Sequence, residues 1–235
     1  MPYIFPPAVQ KAFEVFETKA EIRICGGAVR DLLLGKTPKD WDMCTAATPD
    51  VVLYILENAG LRPFDLSNGH GTVSFVYEGD TVEITTLRVD EKTDGRHAEV
   101  RFVDDFKLDA ARRDFTINGM SMSFNGWVHD YFGGIKDLQN GIVRFVGNVE
   151  ERITEDYLRI LRYCRFVGRF SDFNRHQEVP HVAIKRHKEG LKQISGERIW
   201  MEMQQIFAGP QSDQVVMLMQ DLDLFHTLGI KVRNE

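Results

Sequence analysis

The sequence predicts an α+β protein whose first part holds a mixed β-sheet with helices and whose second part is helical throughout. Three observations support this prediction. Runs of alternating polarity recur up to about residue 146, a Gly–Gly pair follows the first of these runs, and from Val149 onward the apolar residues keep helical spacing. We therefore predict three regions: a head over 1–146, a helical neck over 147–210 and a last helical segment over 211–235.

The elements of the head follow from the spacing of its apolar residues. The predicted helices cover residues 8–20, 28–36 and 48–60, and residues 109–122 change from a helix to a strand. The predicted strands cover residues 21–25 and 39–46, a hairpin over 71–88, and two short strands over 127–146 around Gly133–Gly134. The polar residues 88–99 predict a loop. This order of elements gives a mixed sheet with helices.

Composition excludes some classes of protein. Of the 235 residues 43% are hydrophobic and 27% charged, and no apolar run approaches the ~18 residues that span a bilayer, so we expect a soluble protein without a membrane partner. The N-terminus lacks the features of a secretory signal or a transit peptide. This predicts the cytoplasm, or the mitochondrial matrix if a presequence precedes the chain. The three cysteines form no CxxC pair, which indicates a reducing compartment.

The charges are segregated along the chain. A net charge of −6 argues against nucleic-acid binding when it is taken alone. However, ten basic residues lie between Arg159 and Arg198, whereas the acidic residues gather in 78–109 and near 150–156. The sequence gives no indication of a protein partner.

A Gly–Gly pair at a strand-to-helix junction predicts a phosphate site. Gly26 and Gly27 let the backbone approach a triphosphate closely, and the helix that follows presents free N–H groups to the anion. Arg30, one turn into that helix, can reach the same phosphates. The alternative for the glycine pair alone is a plain tight turn.

Two aspartates follow at a spacing that places them on one face of a strand. Asp40 and Asp42 are separated by one residue, and the apolar Trp41 and Met43 fill the opposite face. Paired carboxylates suit Mg²⁺, which protein carboxylates bind together with substrate phosphates. Glu83, in the strand TVEITTL, is the candidate third carboxylate. The alternative is a solvated strand edge with ordinary surface acids.

These residues resemble the nucleotidyltransferase superfamily that contains DNA polymerase β, and more narrowly the class II tRNA CCA-adding enzymes and bacterial poly(A) polymerases. The first motif is Gly26–Gly35 with Asp40–Trp41–Asp42 behind it. Four further segments match family motifs in order: RRDFTIN at 112–118, DYFGG at 130–134, EDYLRILR at 155–162 and ISGERI at 194–199. The loop TDGRHAE at 93–99 resembles the loop that takes part in switching from CTP to ATP.

The resemblance implies a fold and a set of ligands. It implies a polymerase-β-like head with Mg²⁺ as cofactor, CTP and ATP as substrates, and the 3′ end of tRNA as partner. Arg113 and Asp114 are then expected at the sugar, and Asn118 belongs to the same nucleotide-binding motif. Family members continue into a helical body, so residues 211–235 are expected to be the start of a truncated one.

The segment from Val149 to Gly168 predicts one amphipathic helix with a polar face that reads the base. On that face Asp156 can accept a hydrogen bond from an exocyclic amine and Arg159 can donate one to a ring nitrogen, a pattern that cytosine and adenine share. Arg162 and Arg165 are then candidates for phosphate contacts. The alternative is a solvated charged face.

Together these features predict a template-independent tRNA nucleotidyltransferase that adds C, C and A and releases pyrophosphate. The alternatives are a narrower activity (CC addition, A addition or poly(A) synthesis) or a catalytically silent RNA-binding module. The intact pair of Asp40 and Asp42 argues against the silent module.

Overall fold

The structure is a computed structural model that describes residues 3–65, 71–93, 98–171 and 178–231. Residue contacts divide the chain into two compact units. The first unit comprises Met1–Lys92 and Glu99–Ile135, and the second comprises Thr93–Ala98 and Lys136–Glu235. The observed division thus falls after Ile135, whereas the sequence predicts a head that ends at 146.

The first unit contains short helices and strands that alternate along the chain. Its helices are α1 (Pro7–Phe16), α2 (Gly27–Leu33), α3 (Pro49–Asn58) and α4 (Phe106–Ala111), with a 3₁₀ turn at Thr116–Asn118. Its strands are β1 (Ile22–Cys25), β2 (Trp41–Thr45), β3 (Thr72–Tyr77), β4 (Asp80–Thr86), β5 (Arg88–Thr93), β6 (Ala98–Phe102), β7 (Met120–Met122) and β8 (Val128–Asp130). The mixed composition agrees with the predicted fold class.

Six of these strands form one mixed sheet in the order β3-β4-β2-β1-β7-β8. The pairs are antiparallel, with the exception of β2 and β4, which run parallel with Asp42 opposite Glu83. The same end of the sheet therefore holds the start of β2, the end of β1 and the starts of β4 and β7. We call this row of strand ends the catalytic edge, and the candidate residues of the first unit lie along it.

One face of the sheet is closed by helices and the other is open where the acids lie. The apolar Trp41, Met43, Val82 and Ile84 alternate with Asp42 and Glu83 and are at most 7% exposed. Helix α1 packs on β3 and β4 and buries its own apolar stripe. The period-two pattern thus fixes which side of β2 and β4 faces the core.

Two sequence predictions for this part of the chain are wrong. Residues 88–93 and 98–99, predicted as a loop, belong to the two-stranded sheet of β5 and β6, and residues 94–97 of that prediction lie outside the described residues. The second predicted strand after Gly133–Gly134 is instead a helix, α5 (Gly134–Gln139). The Asp130 carboxylate accepts hydrogen bonds from the backbone N–H groups of Gly134 at 2.8 Å and Ile135 at 3.0 Å, which starts the helix.

The second unit is helical, as predicted. Its helices after α5 are α6 (Val149–Glu155), α7 (Arg159–Phe170), α8 (Glu178–His187), α9 (Gly196–Phe207), α10 (Ser212–Asp221) and α11 (Leu224–Thr227), with a 3₁₀ segment at Lys188–Gln193. Helix α7 lies at its centre, where Tyr163 is 1% exposed and stacks on Phe145 with ring centroids 5.7 Å apart. Within the described ranges, no helix is long and apolar enough to cross a membrane.

The predicted single helix over 149–168 is broken at Asp156. Helix α6 ends at Glu155, Asp156 adopts an extended conformation with φ −153° and ψ 104°, and α7 begins at Arg159. The Asp156 carboxylate accepts a hydrogen bond from the N–H of Leu158 at 3.1 Å. An aspartate that binds the backbone two residues on favours a turn over a helix, which explains the break.

Candidate active site

The glycine turn lies at the catalytic edge, between β1 and α2. Gly26 has φ 68°, a conformation that side chains other than glycine rarely adopt, and its N–H donates to the carbonyl of Met120 at 3.0 Å. A Cβ on Gly26 would lie 2.6 Å from an Nη atom of Arg113. The absence of a side chain here therefore lets the Arg113 guanidinium approach the backbone of the turn.

Arg30 extends from α2 and is tied to two neighbours. Its guanidinium donates to the side-chain oxygen of Asn118 at 2.8 Å and to Oδ1 of Asp31 at 2.8 and 2.9 Å. Asn118 in turn donates to the Asp114 carboxylate at 3.0 Å. These contacts bring together Arg30, Asp114 and Asn118, which the sequence placed in one nucleotide-binding group.

The three candidate carboxylates lie beside this group on the open face. Asp42 is half-buried within β2, Glu83 is exposed opposite it on β4, and Asp40 is exposed one residue before β2 begins. Adjacent strands run about 4.8 Å apart, so Asp42 and Glu83 are close neighbours on one face. The structure thus places the three predicted acids at the same end of the sheet.

The electrostatics of Asp42 fit a bound cation. Burial raises the pKa of the Asp42 carboxyl above its usual value, and the nearby charges of Glu83 and Asp40 raise it further, while Arg113 opposes the shift. A divalent ion between these oxygens would relieve that repulsion. Among the described residues, no three His, Cys, Asp or Glu side chains come together as a ready metal site. The roles of Asp40, Asp42 and Glu83 as metal ligands stay predictions.

An unpredicted aspartate fixes the two arginines beside the glycine turn. Asp109, 3% exposed in α4, accepts hydrogen bonds from Arg112 at 2.9 Å and Arg113 at 3.1 Å, and its Oδ1 also accepts from the N–H of Arg88 at 3.3 Å. Burial opposes ionisation of this carboxyl, but the two guanidinium groups outweigh it and lower the Asp109 pKa. The spacing of three and four residues on one helix was the available signal, since such pairs face each other.

In the second unit, the two candidate base-reading residues each have an ionic partner. The Asp156 carboxylate accepts from Arg198 at 2.8 Å, and Arg159 donates to Glu155 at 2.6 Å and to the carbonyl of Arg152 at 2.9 Å. The Asp156 side chain is 26% exposed and that of Arg159 is 13% exposed. Neither Arg198 nor Glu155 was predicted from the sequence as a partner of this pair.

The arginines of α7 have an acidic partner on α9. Glu202, 7% exposed, lies 2.7 Å from Arg165 and 3.7 Å from Arg162, and Arg165 also donates to Gln205 at 2.9 Å. The anion that the sequence required near these arginines is therefore supplied in part by the chain itself. Their contact with phosphates stays a prediction.

Two segments of the chain match the models of known protein families. Residues 22–144 match the family model described as the poly(A) polymerase head domain. The chain belongs to this family. A second model, described as the probable RNA and SrmB-binding site of polymerase A, matches residues 181–229. Nucleotidyltransferases of the family generally use a divalent metal.

Curated relatives and solved structures agree with the family assignment. The mitochondrial CCA tRNA nucleotidyltransferase 1 of Homo sapiens is 45% identical over 97% of this chain and 53% of its own length. A crystal structure of the Bacillus stearothermophilus CCA-adding enzyme in complex with CTP superposes with a TM-score of 0.81 and 34% identity over 94% of this chain and 53% of that one. A CCA-adding enzyme with ATP gives a TM-score of 0.78 and 26% identity over 98% and 54%. The chain thus spans about half the length of these relatives, and the predicted fold class is confirmed.

Proposed function

We propose that this chain carries the catalytic part of a tRNA nucleotidyltransferase that adds C, C and A to the tRNA 3′ end from CTP and ATP. One observation carries the proposal: a glycine turn with Arg30 and Arg113, and a carboxylate group with Asp42 opposite Glu83, lie side by side at one sheet edge. Relatives named for this activity support it.

The residues of the catalytic edge have different roles in nucleotidyl transfer. The backbone of Gly26 and Gly27 and the guanidinium of Arg30 bind the triphosphate, and Arg113, Asp114 and Asn118 hold the sugar side. The 3′-hydroxyl of the acceptor attacks the α-phosphorus, and pyrophosphate leaves in line. The chain contributes positioning and charge neutralisation rather than covalent chemistry.

Asp40 and Asp42 would hold the divalent metal, for which we propose Mg²⁺, and Glu83 is the candidate third ligand. When bound, such an ion neutralises developing negative charge and lowers the pKa of the attacking hydroxyl. The carboxylates themselves keep the open face of β2 and β4 acidic, and this selects a cation at the reacting centre.

Base choice is assigned to Asp156 and Arg159 of the second unit. An ionised carboxylate has about four lone-pair sites, so Asp156 can accept a hydrogen bond from the exocyclic amine while it keeps its contacts to Arg198 and Leu158. Arg159, which also donates to Glu155 and to the carbonyl of Arg152, would supply the hydrogen bond to the ring nitrogen of the base. Cytosine and adenine match this pattern, whereas uracil and guanine place a carbonyl where the amine should be.

The activity is tested by incubating tRNA that lacks its CCA end with the chain, Mg²⁺ and CTP, ATP or both. We expect addition of two C residues with CTP and completion with both nucleotides. Addition of C without A would favour a CC-adding enzyme, and long A tails would favour poly(A) synthesis. No extension, repeated with a longer chain that includes the region the relatives carry beyond this one, would favour a silent RNA-binding module.

Base choice is tested by substituting Asp156 with alanine. We expect the preference for CTP and ATP over UTP and GTP to fall about tenfold, because one hydrogen bond to the base is lost. The KM for CTP should rise less than the preference falls. An unchanged preference would exclude the proposed role of Asp156. The Asp213→Ala variant, which changes an exposed acid on α10, serves as a control.

The place of action is proposed from the chain and its relatives together. The curated relative from Homo sapiens is named as mitochondrial. We propose the cytoplasm or the mitochondrial matrix, and localisation of the tagged full-length protein in cells distinguishes the two.

A further inference from the structure

A cleft of about 800 Å³ opens beside the carboxylates at the catalytic edge of the first unit. Its walls come from three places: the entry to α1, the segment before β2 and the turn between β3 and β4. The residues that matter for the argument are Phe5, Lys39, Asp40, Trp41, Thr81 and Glu83. Asp40 and Glu83 form the end of the cleft next to the proposed reacting centre.

The order of strands separates two binding regions along this edge. Gly26 follows β1, on one side of β2, and Glu83 lies on β4, on the other side. Arg30, proposed to bind the triphosphate, and Arg113, proposed to bind on the sugar side, belong to the β1 side, whereas the cleft belongs to the β4 side. Asp42 on β2 lies between the two regions.

In-line transfer requires the attacking oxygen to approach the α-phosphorus from the side opposite the departing pyrophosphate. With the triphosphate on the β1 side, the attacking hydroxyl arrives from the β4 side, where the cleft lies. We propose that this cleft binds the 3′-terminal nucleotide of the RNA acceptor. The proposal rests on the proposed function and adds a binding site for the acceptor to it.

The chemistry of the walls suits a nucleoside better than a triphosphate. Phe5 and Trp41, which are 5% and 7% exposed and pack edge to face with ring centroids 6.3 Å apart, contribute aromatic surface to the lining of the cleft. Aromatic side chains interact favourably with bases of any sequence. The acids Asp40 and Glu83 repel a polyphosphate, but they tolerate the uncharged hydroxyl end of a nucleoside.

Lys39 and Thr81 supply polar contacts along the rim. Both are exposed, and Lys39 is next in sequence to Asp40. A lysine and a hydroxyl are typical ligands of a nucleic-acid phosphate. The phosphate that precedes the terminal nucleoside can thus bind Lys39 while the ribose points its 3′-hydroxyl toward Glu83. A volume of 800 Å³ also falls within the ~300–1,000 Å³ of ordinary ligand pockets.

Steady-state kinetics with matched variants tests the cleft. In Lys39→Ala we expect the KM for a tRNA acceptor lacking CCA to rise about tenfold, while the KM for CTP stays within twofold of the unsubstituted chain. Lys36→Ala, an exposed lysine that does not line the cleft, should change neither constant. Thr81→Trp, which fills the cleft, should also raise the acceptor KM. Equal effects on the acceptor and CTP constants would overturn the proposal.

Photocrosslinking separates this proposal from the proposed function, because it requires binding and no reaction. An RNA acceptor with a 3′-terminal 4-thiouridine should crosslink to peptides that contain residues 37–41 or 79–83. A crosslink there without nucleotide addition would support the cleft and contradict the enzymatic activity. Nucleotide addition with the crosslink elsewhere, or with no crosslink at saturating RNA, would overturn the cleft and leave the activity standing.

Discussion

At the scale of single residues, Asp42 links the fold to the chemistry. Its neighbours Trp41 and Met43 are buried in the core, so the strand has no freedom to turn its carboxylate away from the open face. The same position places it opposite Glu83, and burial together with the neighbouring charges raises its pKa. The protein thus keeps an acid where an unassisted negative charge is unfavourable, which is typical of a functional site.

The substitution Asp42→Asn should lower the activity without lowering the free energy of unfolding. We expect nucleotide addition to fall about a thousandfold or more, because a metal ligand worth several kcal/mol of transition-state stabilisation is lost. We expect the free energy of unfolding to stay the same or to rise, because the neutral amide escapes the repulsion that raises the Asp42 pKa. Activity assays and urea unfolding measure the two quantities. Asp50→Asn, an exposed acid on α3, is the control, and full activity of Asp42→Asn would refute the metal assignment.

Asp109 holds the arginines of the site, and Asp109→Asn is expected to lower the free energy of unfolding by about 3 kcal/mol at neutral pH. The loss arises because Arg112 and Arg113 would keep their charges without the carboxylate that pairs with them. The KM for CTP should rise as well. Urea unfolding of Asp109→Asn and of the exposed control Asp104→Asn measures the difference.

The pH dependence of that difference has a definite sign. The Asp109 pKa is lower in the folded chain than its ordinary 3.8, so its stabilisation is fully present above pH 3.8. It is lost as the pH falls through the lowered value. The difference between the unsubstituted chain and Asp109→Asn should therefore be constant from pH 5 to 8 and shrink below about pH 4. A difference that grows on acidification would contradict this account.

How far the site could be predicted depends on where each partner lies. Gly26, Arg30, Asp40 and Asp42 follow one another in sequence, so their spacing alone places them together. Glu202 could not be assigned to Arg165 because 37 residues separate them and the contact depends on how α7 packs on α9. A side-chain partner made by packing leaves no local pattern, and this is why Glu202 was missed. Asp109 and Glu155, by contrast, lie three or four residues from their arginines, so their local spacing could have indicated them.

At the scale of elements, the junction of β1 and α2 determines how closely the Arg113 guanidinium approaches the glycine turn. Gly26 has the conformation and the open space that Arg113 needs. Gly35, at the other end of α2, has nearly the same φ of 69° but nothing within 4 Å of an added Cβ. A comparison of substitutions at Gly26 and Gly35 therefore distinguishes the effect of backbone strain from the effect of crowding by neighbouring atoms.

Alanine at these two glycines should give different results. Each substitution is expected to cost about 1–2 kcal/mol of unfolding free energy, because alanine disfavours positive φ. Gly26→Ala must in addition displace the Arg113 guanidinium, so we expect its KM for CTP to rise about tenfold while that of Gly35→Ala is unchanged. Thermal unfolding and steady-state kinetics compare the two. Equal KM values would show that the position of Arg113 is unimportant.

The break between α6 and α7 shows the limit of periodicity as a predictor. Apolar residues at helical spacing continue through the break, since Ile153, Ile160 and Leu161 are all buried. The backbone nevertheless leaves the helix at Asp156, where the side chain binds the N–H of Leu158. The same apolar pattern is thus compatible with one long helix or with two shorter helices, and a local side-chain contact decides which of them forms.

At the scale of the whole molecule, the mixed sheet and the helical remainder were predictable from periodicity, whereas the order of the strands was not. Hairpins such as β3 and β4 are neighbours in sequence. The parallel pairing of β2 with β4 and the pairing of β1 with β7 join distant segments, and only tertiary packing specifies them.

The distribution of charge leads to a prediction for RNA binding. The chain carries a net charge of −6, so a general attraction to RNA is absent and any binding depends on local basic groups. We expect the affinity for tRNA to fall at least about tenfold between 50 and 200 mM salt, because each phosphate contact releases counterions. Fluorescence anisotropy with labelled tRNA measures this. A salt-independent affinity would exclude phosphate contacts as the main source of binding.

The pairing of β1 with β7 has a consequence for synthesis on the ribosome. A nascent chain that has emerged only as far as Thr86 already contains Gly26, Asp42 and Glu83, yet it lacks Met120, whose carbonyl accepts the Gly26 N–H. Asn118, which binds Arg30, is also still to come. Because domains fold as units during translation, the proposed nucleotide site forms late, after its acids have left the exit tunnel. Incomplete chains released early would therefore carry the carboxylates without the means to hold a triphosphate.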